Sequence, residues 1–346
     1  LPWASVKGAV TPFHEALFTA TSAVCVTGLV VQDTGSYWSS FGQAVILILI
    51  QTGGFGVVTV AAAVSMMSGR KISLMQRSTM QNAISAPKVG GIVRLTKFIL
   101  KGTFLIEGMG ALLLLPVFCH DFGWKGIWMA VFHSISAFCN AGFDILGREG
   151  HLYPSIVGYA DNILVNGVII GLIIIGGIGF LTWEDICEYK WKFKNYRMQS
   201  KLILATTVCL IIFPACFFFF ADFQYLPVKS RFLASVFQSV TPRTAGFNTV
   251  DITMMTEASK VVMILLMLIG GSPGSTAGGM KTTTFAVLLL NAVATFKSQE
   301  HAGAFGRRID DQVIKNAASI AMLYFMMFLA GGIMISTAEG LPMLSS

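Results

Sequence analysis

Long apolar stretches alternate along the chain with short polar and basic segments. Six of these stretches reach the length of about 20 residues that a helix needs to cross the apolar core of a bilayer. They comprise residues 41–67, 93–119, 163–183, 202–221, 259–294 and 317–336, and glycine and proline interrupt the fifth. The pattern predicts an all-α polytopic membrane protein, which the low charged fraction of 12% also favours.

Three other apolar stretches, residues 13–23, 127–138 and 231–241, are too short to cross a membrane. A helix of about ten residues rises about 15 Å, which is half the thickness of the apolar core. Its last carbonyl groups lack partners, and irregular chain at that depth is tolerated only where it lines water or is buried in protein. These stretches therefore predict half-helices that enter the membrane and lead into a loop.

Each predicted half-helix leads into a similar motif, which reads FTATSAVCVTG at 18–28, FHSISAFCNAG at 132–142 and FQSVTPRTAG at 237–246. A long apolar stretch with a glycine cluster follows each motif, at 53–56, 176–179 and 270–274. The chain is therefore predicted to repeat the order span, half-helix, loop and span around a central pore. The predicted repeats comprise residues 1–67, 93–183, 202–294 and 317–346. The first repeat lacks its first span, the third has a broken second span, and the last is only the start of a fourth repeat.

The loops that follow the half-helices have the features of a cation filter. Glycine adopts backbone angles closed to other residues and so orients its carbonyl freely, and carbonyl oxygens replace the hydration shell of a monovalent ion. The negative ends of the half-helices add a favourable potential. Three loops leave such a ring open, so we expect the sequence to be part of a longer chain. The predicted ion-binding residues are Val26, Thr27, Gly28, Asn140, Ala141, Gly142, Thr244, Ala245 and Gly246.

The interrupted fifth stretch predicts a loop within the membrane. Its five glycines each cost a helix about 1 kcal/mol and Pro273 about 3, and the sum of roughly 8 kcal/mol argues against an unbroken helix. We predict that this loop lies below the filter and obstructs the ion path, with a simple packing kink as the alternative. The predicted loop residues are Gly270, Gly271, Ser272, Pro273, Gly274, Ser275, Thr276, Ala277, Gly278, Gly279 and Lys281.

The cations of the chain are concentrated in three segments. Sixteen of the 24 lysines and arginines fall within residues 70–101, 190–201 and 297–315, and the net charge is +7. The positive-inside rule assigns these segments to the cytoplasmic side of the cell membrane. They lie beside predicted spans, so membrane topology explains their charge, and the aromatic residues Trp191, Phe193 and Tyr196 predict an anchor at the membrane interface. We therefore expect contact with the lipid bilayer and none with nucleic acid.

Several polar residues near the predicted spans have more than one interpretation. Glu107 lies in the middle of a span, where it either pairs inside the protein or lines the ion path. Asp33, Asp144 and Asp251 follow the filter glycines and either attract cations at the outer mouth or are solvated. Arg243 would repel a cation, so we expect it behind the loop, bonded to carbonyls or a carboxylate. The half-helix histidines and the six cysteines are predicted to pack rather than to bind metal.

The loop motifs resemble those of the Trk/Ktr/HKT superfamily of potassium transporters, and the pattern is most similar to the bacterial Ktr-type membrane subunit. The resemblance covers nearly all 346 residues and rests on VTGL at 26–29, NAGF at 140–143, TPRTAGFN at 241–248 and GSTAGGMK at 274–281. Cys25 and Cys139 depart from the family, which usually has threonine or asparagine at these positions.

The resemblance implies a potassium uptake pore with four repeats and a gating loop, and not an enzyme. It also implies potassium as the transported ion, no further cofactor, a homodimer and a cytosolic nucleotide-binding regulatory ring as partner. A serine in place of the first filter glycine points toward sodium in this superfamily, whereas this chain has Gly28. The alternative hypotheses are a sodium-permeable member of the superfamily and a non-conducting regulatory membrane protein.

Overall fold

The computed structural model describes residues 2–56, 59–60, 78–81 and 91–340. Helices dominate these residues, which confirms the all-α prediction. The α-helices are α1 (Phe13–Val24), α2 (Thr34–Tyr37), α3 (Ser40–Phe55), α4 (Ile92–Phe122), α5 (Lys125–Phe138), α6 (Ile163–Gly177), α7 (Phe180–Tyr189), α8 (Met198–Ala221), α9 (Val228–Val240), α10 (Glu257–Leu268), α11 (Thr282–Phe296) and α12 (Asp311–Glu339). Short 3-10 helices and one antiparallel hairpin complete the elements, namely Pro2–Ala4, Val157–Tyr159, Phe193–Asn195, Phe223–Tyr225, Ile252–Met254, and β1 (Gly303–Ala304) with β2 (Arg307–Arg308).

Within the described residues, three helices are long and apolar enough to cross a membrane unaided. These are α4, α8 and α12, with 31, 24 and 29 residues. The pair α6–α7 gives a fourth candidate, but its two helices meet at an angle of 99°. The apolar stretch predicted at 163–183 is therefore divided between two helices. The chain bends because α6 ends at Gly177 and Gly179 adopts a left-handed conformation, with φ of +87°.

Parts of three sequence predictions lie outside the described residues. The first long stretch, 41–67, begins within α3, but it is described only at 41–56 and 59–60. The basic segment 70–101 is described at 78–81 and from residue 91 onward. The end of the predicted fourth repeat, 341–346, also lies outside, while α12 covers the span before it.

The predicted half-helices are present as α1, α5 and α9, with 12, 14 and 13 residues. At about 1.5 Å per residue they rise about 18–21 Å, which is short of the ~30 Å apolar core. Helix α1 packs on α3, α5 on α4 and α9 on α8. Gly123, with φ of +60°, lets the chain reverse between α4 and α5.

The main core lies between the long helices and the carboxyl ends of the first two half-helices. Phe118 on α4 and Phe138 on α5 are fully buried in it. Glycines let the next helix approach each half-helix end. A Cβ on Gly53 would overlap the carbonyl oxygen of Val24, and a Cβ on Gly176 would overlap that of Phe138. The first two glycine clusters found in the sequence thus let the following helix pack closely on the end of α1 and of α5.

The long helices present apolar side chains outward. In α12 none of the most apolar 18-residue window is buried within the protein, and in α8 only 22% of that window is. A water-soluble monomer rarely exposes a continuous apolar surface of this extent. These faces are suited to contact with lipid.

Candidate functional site

Three loops follow the half-helices, and we call residues 25–28, 139–142 and 241–246 the first, second and third glycine loops. A left-handed backbone recurs at two positions of each loop, and the residue between them has a negative φ. The left-handed residues are Val26 (φ +56°) and Gly28 (+81°), Asn140 (+57°) and Gly142 (+68°), and Thr244 (+74°) and Gly246 (+83°). Such alternation gathers N–H groups on one side of the chain and turns carbonyls to the other. A left-handed conformation is uncommon for residues other than glycine, so its threefold repetition makes these loops the candidate functional site.

Amide groups of each glycine loop bond back to the end of the preceding half-helix or to its cap. Thr27 N donates to Ser22 O and Ala141 N donates to Ser136 O, each at 2.8 Å. In the third loop, Ala245 N and Gly246 N donate to the carbonyl of Thr241, the cap of α9, at 3.0 and 3.2 Å. Two hydroxyls also hold the chain just beyond the loop. Ser136 Oγ donates to Phe143 O at 2.7 Å, and Thr241 Oγ1 donates to Phe247 O at 2.6 Å. In the first loop the corresponding Ser22 Oγ is buried without a partner among the described residues.

The three glycine loops meet, with the second loop between the other two. A Cβ added to Gly28 would lie 2.5 Å from the carbonyl oxygen of Ala141, and one added to Gly142 would lie 2.5 Å from that of Ala245. A Cβ on Gly246 would be 3.4 Å from the Cα of Gly142. Because these gaps leave no room for a side chain at Gly28 or Gly142, glycine is required there by both space and backbone angle. The structure thus brings together the residues that the sequence predicted from three separate regions.

The chain between α10 and α11, residues 269–281, is the predicted break in the fifth apolar stretch, and we call it the 269–281 loop. Its two ends run side by side. Gly270 N donates to Met280 O at 2.9 Å, and Gly271 N donates to Gly278 O at 3.1 Å. Ser272 and Thr276 are buried, so the segment is a packed loop inside the protein and not a simple kink.

The 269–281 loop is bound to the bend between α6 and α7. The bonds are Ser272 N to Gly177 O (2.9 Å), Thr276 N to Gly176 O (3.2 Å) and Phe180 N to Gly274 O (2.7 Å). A bend leaves carbonyls at the end of one helix and amides at the start of the next without helical partners. The loop supplies those partners. Within the loop, Lys281 Nζ donates to Ala277 O at 2.9 Å.

The 269–281 loop also contacts two of the glycine loops. Thr276 Oγ1 donates to Phe138 O at 2.9 Å and accepts a hydrogen bond from Asn140 Nδ2 at 3.0 Å. A Cβ on Gly279 would lie 3.5 Å from Cγ2 of Thr244. The residues of the predicted gating loop and of the predicted filter therefore form one continuous site.

The aspartates beyond the glycine loops differ in their surroundings. Asp33 fits neither of its two interpretations, because its carboxylate is buried and holds the main chain together. It accepts hydrogen bonds from Ser36 N (2.8 Å), Ser36 Oγ (2.7 Å) and Tyr153 N (2.9 Å), which joins the segments after the first and second glycine loops. Asp251 instead accepts a bond from Thr253 N at 2.9 Å in an exposed turn, as a solvated charge does.

Asp144 lies two residues beyond the second glycine loop, outside the membrane-spanning helices, and is half-buried. Its Oδ1 accepts a hydrogen bond from Leu146 N at 3.2 Å. Burial raises the pKa of the Asp144 carboxyl to about 6, and the negative charge of Asp33 acts in the same direction. The group is therefore charged at neutral pH and loses its charge in mildly acidic solution.

Two other charged residues lie close to the glycine loops. Glu107 is buried and accepts bonds from Gln51 Nε2 at 3.0 and 3.2 Å, which favours an internal pair over a place on the ion path. Sequence reasoning missed Gln51, whose signal is a lone amide in an apolar span. The expected carbonyl or carboxylate partner of Arg243 is not found, because Nε and Nη1 of its buried guanidinium have no partner among the described residues.

The histidines and cysteines that were predicted to pack differ in burial, and four of the six cysteines are exposed. His133 is buried, and its Nδ1 donates to Met129 O at 2.8 Å, while His14 is exposed. All six cysteines are free thiols. Within the part of the chain that the structure describes, no three or more His, Cys, Asp and Glu side chains are grouped to hold a metal ion.

Comparisons with known proteins give a consistent result. A family model described as TrkH, cation transport protein, matches residues 3–341. The chain is 38% identical to the potassium/sodium uptake protein NtpJ of Enterococcus hirae, over 99% of this chain and 76% of that protein. It is 37% identical to the Ktr system potassium uptake protein B of Bacillus subtilis, over 95% of this chain and 74% of that protein.

A solved structure supports the same fold. The crystal structure of the potassium transporter TrkH from Vibrio parahaemolyticus superposes with a TM-score of 0.70, covering 94% of this chain and 66% of that one. At 19% identity this likeness concerns the fold alone.

Proposed function

The chain belongs to the TrkH family of cation transport proteins, and from this premise we propose that it is the pore subunit of a potassium uptake system in the cell membrane. As a member of this family it is a membrane-embedded, multi-pass ion transporter and not an enzyme. The observation that carries the proposal is the meeting of three glycine loops with one shared backbone conformation. Relatives named as potassium uptake proteins support potassium as the ion.

In this proposal, backbone carbonyls of the glycine loops coordinate the ion. Amides of each loop bond back toward the end of the preceding half-helix, which supports carbonyls that face the space between the loops. Oxygens in such a ring replace the hydration shell of a potassium ion. The carboxyl ends of α1, α5 and α9 each add about half a negative charge. The nine loop residues predicted from the sequence form this filter, and potassium is its cargo.

The 269–281 loop is the gate in this proposal. Its contacts with the second and third glycine loops support a position on the ion path. An open path then requires the loop to leave the bend between α6 and α7, which breaks three backbone hydrogen bonds. Because glycine and proline dominate the loop, its movement does not require a regular helix to unfold.

The proposed assembly places the basic segments in the cytoplasm. Phe193 of segment 190–201 contacts Phe305 of the hairpin in segment 297–315, with ring centroids 6.2 Å apart. Lys201 Nζ lies 5.9 and 6.0 Å from these two rings, which supports a common side for both segments. We also propose four repeats, a homodimer and a cytosolic nucleotide-binding regulatory ring, as the resemblance implies. Relatives named as parts of a Ktr system support a multisubunit assembly.

A sodium-permeable transporter is the second candidate, because the relative from Enterococcus hirae is named a potassium/sodium uptake protein. Gly28 favours potassium, since all three loops then end in a glycine whose carbonyl is free to take the required orientation. The two candidates differ in one measurable quantity, the ratio of potassium flux to sodium flux.

Gly28→Ser tests the proposal. A Cβ at this position would lie 2.5 Å from the carbonyl oxygen of Ala141, so the first or second loop must shift. We expect the wild-type protein in liposomes to conduct potassium in preference to sodium, and the variant to show a lower ratio of the two fluxes. Gly8→Ser is the matched control, because Gly8 also has a positive φ (+64°) but no atom of the described residues lies within 4 Å of a Cβ there.

Two results would change the assignment. A folded Gly28→Ser protein with an unchanged flux ratio would remove Gly28 from the filter. A wild-type protein that conducts sodium as well as potassium would favour the second candidate. Potassium uptake itself is checked by expressing the protein in a bacterium deficient in potassium uptake and measuring growth at low potassium.

A further inference from the structure

A buried carboxylate lies directly behind the second glycine loop. Glu107 on α4 is only 4% exposed. Gln51, on α3 of the first repeat, donates from Nε2 to both of its carboxylate oxygens, at 3.0 and 3.2 Å. Ser134 Oγ on α5 donates to the main-chain oxygen of Glu107 at 2.6 Å. One residue thus joins α3, α4 and the half-helix that carries the second glycine loop.

The thiol of Cys139 completes this group. Cys139 is the first residue of the second glycine loop and precedes Asn140, which has left-handed backbone. Its Sγ lies 3.8 Å from Gln51 Oε1 and 4.0 Å from Glu107 Oε1, within reach of a weak thiol hydrogen bond. A Cβ on Gly54 would come 2.6 Å from the same sulfur, so α3 packs tightly against it.

We propose that Glu107 is a positioning residue for the filter, which fixes the second glycine loop through Gln51 and Cys139 and so sets its ion selectivity. The inference rests on the proposed function for what the loop selects. A carboxyl group within the membrane carries a large desolvation cost, so an apolar side chain would fill the site at lower cost. The acid instead makes directed bonds to Gln51, whose amide oxygen in turn faces the thiol.

A direct role of Glu107 in ion binding is the competing explanation. The contacts argue against it, because both carboxylate oxygens are occupied by Gln51 and the residue is buried. The second glycine loop lies between the other two loops, so a shift there alters its contacts with both Gly28 and Gly246. A residue behind this loop can therefore affect the whole filter without touching the ion.

The test compares Glu107→Ala, Glu107→Gln and the exchange variant Gln51→Glu with Glu107→Gln. For Glu107→Ala we expect the potassium-to-sodium flux ratio to fall about tenfold, equivalent to about 1.4 kcal/mol, the size of one hydrogen bond. Glu107→Gln retains an acceptor for Gln51 and is expected to lose less. The exchange variant restores the acid–amide pair with its ends reversed and is expected to recover most of the ratio.

Thr96→Val is the control for an internal polar substitution on the same helix. Thr96 is fully buried, but among the described residues its hydroxyl bonds only to Ile92 O within α4, at 2.9 Å. Its flux ratio should equal that of the wild type. Thermal unfolding of each purified variant identifies those that fail to fold, and Glu107→Gln keeps the test informative if Glu107→Ala does not fold.

A second readout does not depend on the transported ion. Amide hydrogen exchange of the peptide that contains residues 139–142 reports how firmly the second glycine loop is held. Faster hydrogen exchange in the Glu107 variants, restored to the wild-type rate in the double variant Gln51→Glu with Glu107→Gln, would support a positioning role. This result would hold even if the wild type showed no potassium selectivity, and only the proposed function would then fail. The inference would be overturned by an unchanged hydrogen-exchange rate in folded Glu107→Ala. It would also be overturned if the double variant had a flux ratio no higher than that of Glu107→Gln.

Discussion

The second and third repeats carry similar glycine clusters after their half-helices, yet the backbone at these clusters has a different conformation in each repeat. In the second repeat, α6 and α7 are separated by two residues and meet at 99°, with Gly179 in the left-handed region. In the third repeat, α10 and α11 are separated by the whole 269–281 loop. Pro273 lacks an N–H group and the surrounding glycines favour irregular backbone, so the helix does not resume at once.

The bend between α6 and α7 and the 269–281 loop satisfy each other's free backbone groups. The bend leaves the carbonyls of Gly176 and Gly177 and the amide of Phe180 available, and the 269–281 loop bonds to all three. A single irregular segment in a membrane would leave several polar groups unsatisfied, at a cost of several kcal/mol. Two irregular segments from different repeats, packed together, satisfy each other. The comparison shows that the gate proposed for the third repeat depends on a docking site built by the second.

The largest expected effect comes from closing that docking site. A Cβ on Gly176 would overlap Phe138 O and lie 2.8 Å from Thr276 Oγ1, so Gly176→Val pushes apart the half-helix end and the loop. Overpacking of a core costs about 1–3 kcal/mol, and here it acts on the filter support itself. We expect potassium uptake to be lost. The readouts are uptake per folded protein and the thermal unfolding temperature.

Gly171→Val is the matched control for this substitution. It lies on the same helix, but within the part of the chain that the structure describes nothing lies within 4 Å of a Cβ there. We expect it to retain uptake. If Gly176→Val also retained wild-type uptake and stability, the close approach of α6 to α5 would have no functional weight.

Shortening the 269–281 loop removes the contacts that the third repeat makes with the bend in the second. Gly271 N and Gly278 O are 3.1 Å apart, so residues 272–277 can be excised and the chain rejoined with little distortion. The excision removes every backbone bond to the bend between α6 and α7. Because three backbone hydrogen bonds of about 1 kcal/mol each are lost, we expect potassium flux in liposomes without any regulator to rise more than tenfold above wild type. Unchanged or reduced flux in folded protein would contradict a gating role.

Thr276→Val is expected to act in the same direction with a smaller effect. Valine keeps the shape of threonine but loses the hydroxyl that bonds to Phe138 O and Asn140. A net loss of about 1 kcal/mol shifts an open–closed equilibrium about fivefold, which we expect as increased unregulated flux. Thr276→Ser retains the hydroxyl and should match the wild type. Equal flux from Thr276→Val and Thr276→Ser would show that the hydroxyl bonds to the second glycine loop do not contribute to gating.

Local sequence features accounted for much of this site. Short apolar stretches predicted the half-helices, and the spacing of Gly28, Gly142 and Gly246 in three aligned motifs predicted loops that the structure brings together. The cost of glycine and Pro273 in a helix predicted the break after α10. These features depend on neighbouring residues, and for that reason they are readable from the chain.

The remainder depends on contacts between distant segments. The bend at Gly179 was not distinguishable from a continuous span, because Ile174, Ile175 and Ile178 around it are as apolar as the helix. Nothing in the sequence links Gln51 to Glu107, and nothing in it indicates that Nε and Nη1 of Arg243 find no partner among the described residues. Such pairings are decided by the packing of the repeats and not by local pattern.

The smallest expected effect concerns a position where the second and third repeats differ in charge. Asp144 follows Gly142 by two residues, and Asn248 occupies the same place after Gly246. Asp144→Asn therefore gives the second repeat the residue of the third. A negative charge near a pore mouth raises the local cation concentration, so we expect the variant to take up potassium about twofold more slowly at pH 7.5.

The dependence on external pH makes this last comparison sharper. Burial raises the pKa of Asp144 to about 6, so the carboxyl is charged above pH 6 and becomes neutral as the pH falls through that value. Wild-type uptake should decline between pH 7 and pH 5 toward the rate of Asp144→Asn, whose own rate should stay flat over this range. Asp251→Asn is the control, since that carboxylate is exposed and its pKa is lowered by bonds to Thr253, which keeps it charged throughout. Parallel pH profiles for the wild type and Asp144→Asn would show that Asp144 does not act on the ion, and that the charge difference between the two repeats has no role in conduction.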